Sequence, residues 1–170
     1  MGHPFYGQNK DDNALDFALN ASMYKNPLIV AGNNSQYGTA GAPYPKQELN
    51  RKIVNGHANG FDLFLPAISA DDAGLWLEVD VAVANSGASI IITAATGDVL
   101  EGHAFITKAT DAVANTKYFA ADGTDLIITL NGTTTGGLIG SKLRLQVSKE
   151  GKWMVSADLN GSGTLATSFS

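Results

Sequence analysis

The sequence predicts an all-β fold: an antiparallel β-sandwich or jelly-roll-like body, with an extended and mostly irregular N-terminal arm in front of it. Three observations carry that prediction. In LWLEVDVAVA, Leu75, Leu77, Val79, Val81 and Val83 alternate with Trp76, Glu78, Asp80 and Ala82, the period of two that a strand with one buried face requires. After residue 60, about eight short apolar runs follow one another with Gly or Asp between them, the spacing of a sandwich or barrel-like pair of sheets. No stretch in that region has the length and period of the helices that a doubly wound α/β fold places between its strands.

Composition divides the chain into an arm, residues 1–60, and a body, residues 61–170. In the arm, DDNALDFALNASMYK offers Asp11, Asp12 and Asn13 as caps and Leu15, Ala18, Leu19 and Ser22 at helical spacing. A helix that short is marginal in water unless it docks, so Leu15 and Phe17 are expected to face a neighbour. PLIVAG then reads as a brief extended piece, with Leu28 and Ile29 as further candidate contacts. Between Gly32 and Gly60, glycine, asparagine, Pro43 and Pro45 defeat both periodicities. Long connections of this kind are functional or disordered; an arm wrapped around a neighbour accounts for Tyr37 and Tyr44.

The body opens with FDLFLP and the alternating strand. The turn NSG, Asn85 to Gly87, then leads into SIIITA, and the pair reads as a hairpin. HAFIT, KYFAA, LIITL, KLRLQV and WMVSADL follow as strands. The stretch NGTTTGGLIGSK, residues 131–142, has the glycines, hydroxyls and lysine of a phosphate cradle. It departs from G-x-x-x-x-G-K-[ST] in the order Gly140, Ser141, Lys142 and in the offsets of Gly136 and Gly137. Leu143, Leu145 and Val147 then alternate with Arg144, Gln146 and Ser148, so a strand follows where a phosphate loop needs a helix N-terminus. The loop is read as joining strand to strand.

Several classes of function are disfavoured. A net charge of −5 with no basic cluster lacks the footprint of a nucleic-acid binder. No apolar run approaches the roughly 20 residues of a membrane span, and MGHPFYGQNKDD has no secretory pattern. Without cysteine there is neither a disulfide framework nor a thiolate metal site. His3, His57 and His103 sit in separate segments, away from metal-ligand spacing, although His103 is placed to border a cleft. Asp71 and Asp72, in SADDAG, read as a turn and not as a catalytic pair. No enzyme activity, cofactor or metal is expected. Only 16% of residues are charged, against about 25% in ordinary domains. Either a neighbour covers part of the surface, or Ser, Thr, Asn and Gly supply its polarity. Trp153 reads as core, and Trp76, on the polar side of its strand, as an intermolecular anchor.

The ordered series LPAISADDAGLWLEVDV, GDVLEG and GSKLRLQVSKEGKWMVSADLNGSGTLATSFS resembles the β-domain of tailed-bacteriophage virion proteins, especially capsid decoration (cement) proteins. The resemblance spans roughly residues 61–170. It is carried by Leu65 and Pro66, by Gly97, Asp98 and Gly102, and by Lys152, Trp153, Val155 and Ser156. It implies a sandwich or jelly-roll-like fold and a homo-oligomer, most often a trimer. It also implies binding to the major capsid protein on the capsid exterior, after synthesis in the host cytoplasm. It brings no catalytic residues. The ending NGSGTLATSFS is expected to insert Leu165 and Phe169 into the next subunit. The alternative is a head or tail fibre, or a host-recognition module in which Trp76, Tyr118 or Trp153 stacks on glycan.

Overall fold

A computed structural model describes residues 27–30, 35–108 and 115–170. The expected helix, with Leu15 and Phe17, lies outside the described residues. Eleven strands follow in chain order: β1 (Leu28–Val30), β2 (Ser35–Tyr37), β3 (Arg51–Asn55), β4 (Phe61–Phe64), β5 (Trp76–Val81), β6 (Ile90–Thr93), β7 (Val99–Lys108), β8 (Thr116–Asp125), β9 (Ile127–Leu130), β10 (Lys142–Lys149) and β11 (Lys152–Gly161). Two 3-10 turns, Lys46–Glu48 and Ala70–Asp72, are the helical pieces among the described residues.

The strands form two sheets packed as a sandwich. One has seven strands in the order β1-β3-β5-β10-β11-β7-β8, the other four in the order β2-β4-β6-β9. The alternation of the sequence becomes the alternation of burial. Leu77, Val79 and Val81 of β5, Leu143, Leu145 and Val147 of β10, and Trp153, Val155, Ala157 and Leu159 of β11 point inward. They meet Phe61, Leu63, Ile90, Ile92, Ile128 and Leu130 of the smaller sheet in one continuous core. Each fully buried Val, Leu, Ile or Phe among them contributes about 1.5–3 kcal/mol. Trp153 is fully buried, a core residue as its sequence context predicts.

The pairing is mixed where uniform antiparallel pairing was expected. From β1 to β7 the chain crosses between the sheets at every step, so successive strands within one sheet run the same way. Hence β1, β3 and β5 are parallel neighbours, with Leu28 beside Ile53 and Ile53 beside Val79. Likewise β2, β4 and β6 are parallel. This half is a flattened coil. The expected hairpin at Asn85–Gly87 is one of its crossings: β5 lies in the large sheet and β6 in the small one, and they do not pair. Antiparallel pairing enters later, as β7 with β8, β10 with β11, β5 with β10, and β6 with β9.

The coil also moves the boundary set at residue 60. Residues 28–55, read as arm, supply β1, β2 and β3, and Val30, Tyr44, Leu49 and Ile53 belong to the core. Apolar side chains in that segment are spaced to fill the sandwich, with glycine and proline serving the crossings between.

At residues 131–142 the chain passes from β9 to β10, strand to strand. Gly132 and Gly137 adopt positive φ of 75° and 102° and press against Asn85, where a Cβ on Gly132 would lie 1.7 Å from its carbonyl oxygen. Asn85 is buried. Its side chain donates to Leu130 O at 3.0 Å and accepts from Asn55 Nδ2 at 2.8 Å, and its own N–H donates to Gly137 O. These glycines let the loop close on a polar pin.

Candidate binding face

The outer face of the seven-stranded sheet carries the chemistry. On the edge pair β7–β8, register sets His103 opposite Ala120 and Phe105 opposite Tyr118. His103 stacks on Tyr118 with centroids 5.9 Å apart and planes at 20°, and both rings meet Phe105 with centroids 5.3 Å apart. Tyr118 is 58% exposed and Phe105 40%. Met154 of β11, the strand next to β7, is also exposed on the same face. Mutual packing of aromatic rings is worth about 0.5–1.5 kcal/mol, so the trio is a defined surface rather than three loose side chains. Next to it on β11, Ser156 stands opposite His103 and Asp158 opposite Phe105.

Further across, the face turns polar. Lys52 bridges Glu78 at 2.7 Å and Asp80 at 2.8 Å, and the hydrogen bonds to Asp80 and then Glu78 raise its pKa. Arg144 lies 5.0 Å above the Trp76 ring and 3.9 Å from Glu78. A shallow groove of about 210 Å³ runs between, lined by Glu78, Lys142, Arg144, Ser156 and Asp158. A second cavity, about 320 Å³ and lined chiefly by Pro43, Phe64, Ala67 and three threonines, opens at one end of the small sheet.

The remaining acidic groups fasten connections. Asp72 accepts from Ser69 N at 2.7 Å and from Lys46 Nζ at 2.5 Å. The Lys46 bond, then the Ser69 bond, lower its pKa to about 2. Asp98 is buried and accepts from Ile68 N at 3.1 Å. Burial raises its pKa against the pull of that bond. The Trp153 indole N–H lies near enough to oppose the shift but short of a well-formed hydrogen bond. In SADDAG, Ser69 and Asp72 form a reciprocal capping box, the turn that the sequence indicates.

The sequence-predicted contact residues fall into three groups. Ile29 is 64% exposed, available as expected. Leu28 and Tyr37 pack partly buried against the core, and Trp76 is half-buried beneath Arg144. Tyr44, Leu165 and Phe169 are buried in this chain's own core, and so are not free anchors. Tyr44 is held by its N–H bond to Phe64 O and its ring contact with Tyr37; for Leu165 and Phe169 the reason is the path of the C-terminal residues along the open side of β9. Ser170 O accepts from Leu126 N and Ile127 N, Ser168 O accepts from Thr129 N, and Phe169 bridges Ile128. The same burial removes Trp153 from any glycan contact, leaving Tyr118 in the open. The aromatic trio was missed as a unit. HAFIT shows His103 and Phe105 two apart, on one side of a strand, but only the pairing with β8 adds Tyr118.

Fold and face together define a mixed two-sheet β-sandwich with an exposed aromatic cluster on the outer face of its larger sheet. No known family profile, curated protein or solved structure matches the chain. Among the described residues no group of three or more acidic or histidine side chains converges as a metal site, and no helix is long and apolar enough to cross a membrane.

Proposed function

We propose that this chain is a structural virion protein, a decoration (cement) protein that binds the major capsid protein of a tailed phage and neighbouring copies of itself. The carrying observation is the solvent-facing trio His103, Phe105 and Tyr118 on an edge strand pair. Aromatic residues of this kind are typical anchors of protein interfaces. The residues behind the virion resemblance include Leu65, Trp153 and Val155 in the core and Gly102, expected in a turn, within β7 against the Val155 backbone, so the resemblance speaks to the same architecture. The test is re-addition of purified protein to capsids that lack it. Saturable binding and a higher capsid melting temperature are expected, with both reduced by the double substitution Phe105→Ser, Tyr118→Ser. Failure of the folded wild-type protein to bind capsids overturns the reading.

A fibre or host-recognition role has one specific support: the stacked His103–Tyr118 platform stands beside Ser156 and Asp158, an aromatic face with polar neighbours that suits a sugar ring. Glycan-array binding abolished by Tyr118→Ala, with no affinity for capsids, would favour it.

A further inference from the structure

The two sheets have four lateral edges, and three are guarded. β1 and β2 are only three residues long, and the C-terminal residues 168–170 cover β9. Short or covered edges are the usual protection against strand addition. β8 is different. Its straight part, Thr116 to Asp122, pairs residue for residue with β7 on one side and, among the described residues, with nothing on the other.

The direction of its backbone groups follows from one bond. Lys108 N donates to Asn115 O, so Asn115, Lys117, Phe119 and Ala121 turn their N–H and C=O toward β7. Thr116, Tyr118, Ala120 and Asp122 turn theirs outward. Asp122 N is held by the Asp125 carboxylate at 3.1 Å; among the described residues the N–H groups of Thr116, Tyr118 and Ala120 meet no acceptor. The strand has no proline, and its one lysine is directed under the sheet, where Lys117 Nζ donates to Leu165 O.

We propose that this edge pairs antiparallel with the same edge of a second copy, about a twofold axis beside Phe119. Tyr118 of each copy then stands opposite Ala120 of the other, large against small, and Thr116 opposite Asp122, hydroxyl against carboxylate. Tyr118 N–H donates to Ala120 O of the second copy, and Ala120 N–H to its Tyr118 O. Thr116 N–H reaches Asp122 O, an arrangement that leaves the Asp122–Asp125 bond intact. The two aromatic trios become continuous on one face. This self-matching order is what selects a second copy over a foreign strand, and an isologous contact of this kind closes at two copies. A threefold ring would need another surface. The inference rests on the edge alone and stands or falls independently of capsid binding.

The experiment is sedimentation of the full chain across a concentration series, with amide hydrogen exchange read at residues 116, 118 and 120. Wild type is expected to double its mass from 17.7 kDa as concentration rises, with those amides gaining protection in step. Ala120→Pro removes an outward N–H that makes no bond to β7, and is expected to hold the mass at 17.7 kDa at every concentration. Ala120→Glu, which sets a carboxylate against Tyr118 of the second copy and brings the two introduced carboxylates diagonally together across the axis, is expected to do the same without touching the backbone. A wild type that stays monomeric, an oligomer indifferent to both variants, or protection of these amides that does not vary with concentration would each overturn the proposal; the last would mean that a segment of the same chain covers the edge.

Discussion

The first six strands and the last five reach the same sandwich by different routes. β1 to β6 wind as a coil, each strand crossing to the opposite sheet, so that neighbours come from distant parts of the chain. β7 to β11 include two hairpin-like antiparallel pairs whose strands run eight to ten residues, with the four-residue β9 crossing to the small sheet between them. In the coil, strands run three to six residues and the crossings carry much of the packing: Tyr44, Leu49 and Ile68 are buried outside any strand. A long strand specifies its partner by its own alternation. A short one must borrow specificity from the segments that tie it down.

The difference lies in chain path, and the core does not respect it. Trp153 on β11 touches a cluster that includes Val30 and Ile53 of the coil. Trp153→Ala should therefore cost about 3–5 kcal/mol and shift one cooperative urea transition, whether followed by tryptophan-independent circular dichroism or by exchange of coil amides. Two separated transitions would show that the halves are independent units and would break the comparison as drawn.

The halves are pinned by Asn85, which lies in the last crossing of the coil and bonds Leu130 at the end of β9 and Gly137 of the loop before β10. Asn85→Ala removes the side-chain donor to Leu130 O and the acceptor of one Asn55 Nδ2 hydrogen, leaving Asn55 Nδ2 only Val83 O at 3.2 Å. Leaving a buried polar group unpaired costs about 1–3 kcal/mol, so the loss should be clear in chemical denaturation. Exchange should accelerate first at Leu138 to Lys142. A loss confined to β5 and β6 instead would mean that the pin serves the coil alone.

How far the sequence reaches follows from the same contrast. KLRLQV, WMVSADL and HAFIT declare themselves because alternation is local, and the glycine loop declares itself as a strand-to-strand joint because Leu143, Leu145 and Val147 follow it. The coil stays hidden. Leu28, Ile53 and Val79 are side by side only through parallel crossings, and nothing local in PLIVAG or RKIVN distinguishes a sheet strand from a clinging arm. NSG between two apolar runs is a hairpin signal, overridden because Val81 and Ile90 fill opposite walls of one core. Leu165 and Phe169 looked spare for a similar reason: their partners on β9 are far away in sequence. The candidate face needed register for its assembly.

Two carboxylates tie the coil's crossings with opposite pH behaviour. Asp72 has a folded pKa lowered from 3.8 to about 2; its contribution is complete above the unfolded value and is lost as pH falls from 3.8 through 2. Asp98 has its folded pKa raised. Protonation there is favoured in the folded state, so its charge costs stability above that folded pKa, and the cost disappears as pH falls toward 3.8. Asp98→Asn should raise the melting temperature at pH 7, and the gain should vanish in mild acid. Asp72→Asn should lower it at pH 7 by an amount that vanishes only near pH 2. Melting curves of the two variants at several pH values check both signs, and equal behaviour would refute the burial account of Asp98.

The seam between coil and hairpins is also crossed on the outer face, where Arg144 of β10 lies over Trp76 of β5. The contact is solvent-facing, and Arg144 is about half exposed, so it belongs with cation–π pairs worth about 0.5–1 kcal/mol. Its ion pair with Glu78, at 3.9 Å and open to water, adds little. A double-mutant cycle of Arg144→Gln and Trp76→Leu should give a coupling at or below that range, well under the loss at Asn85. A larger coupling would place the grip between the two halves on the surface, and the buried pin would then be a consequence of their docking rather than its cause.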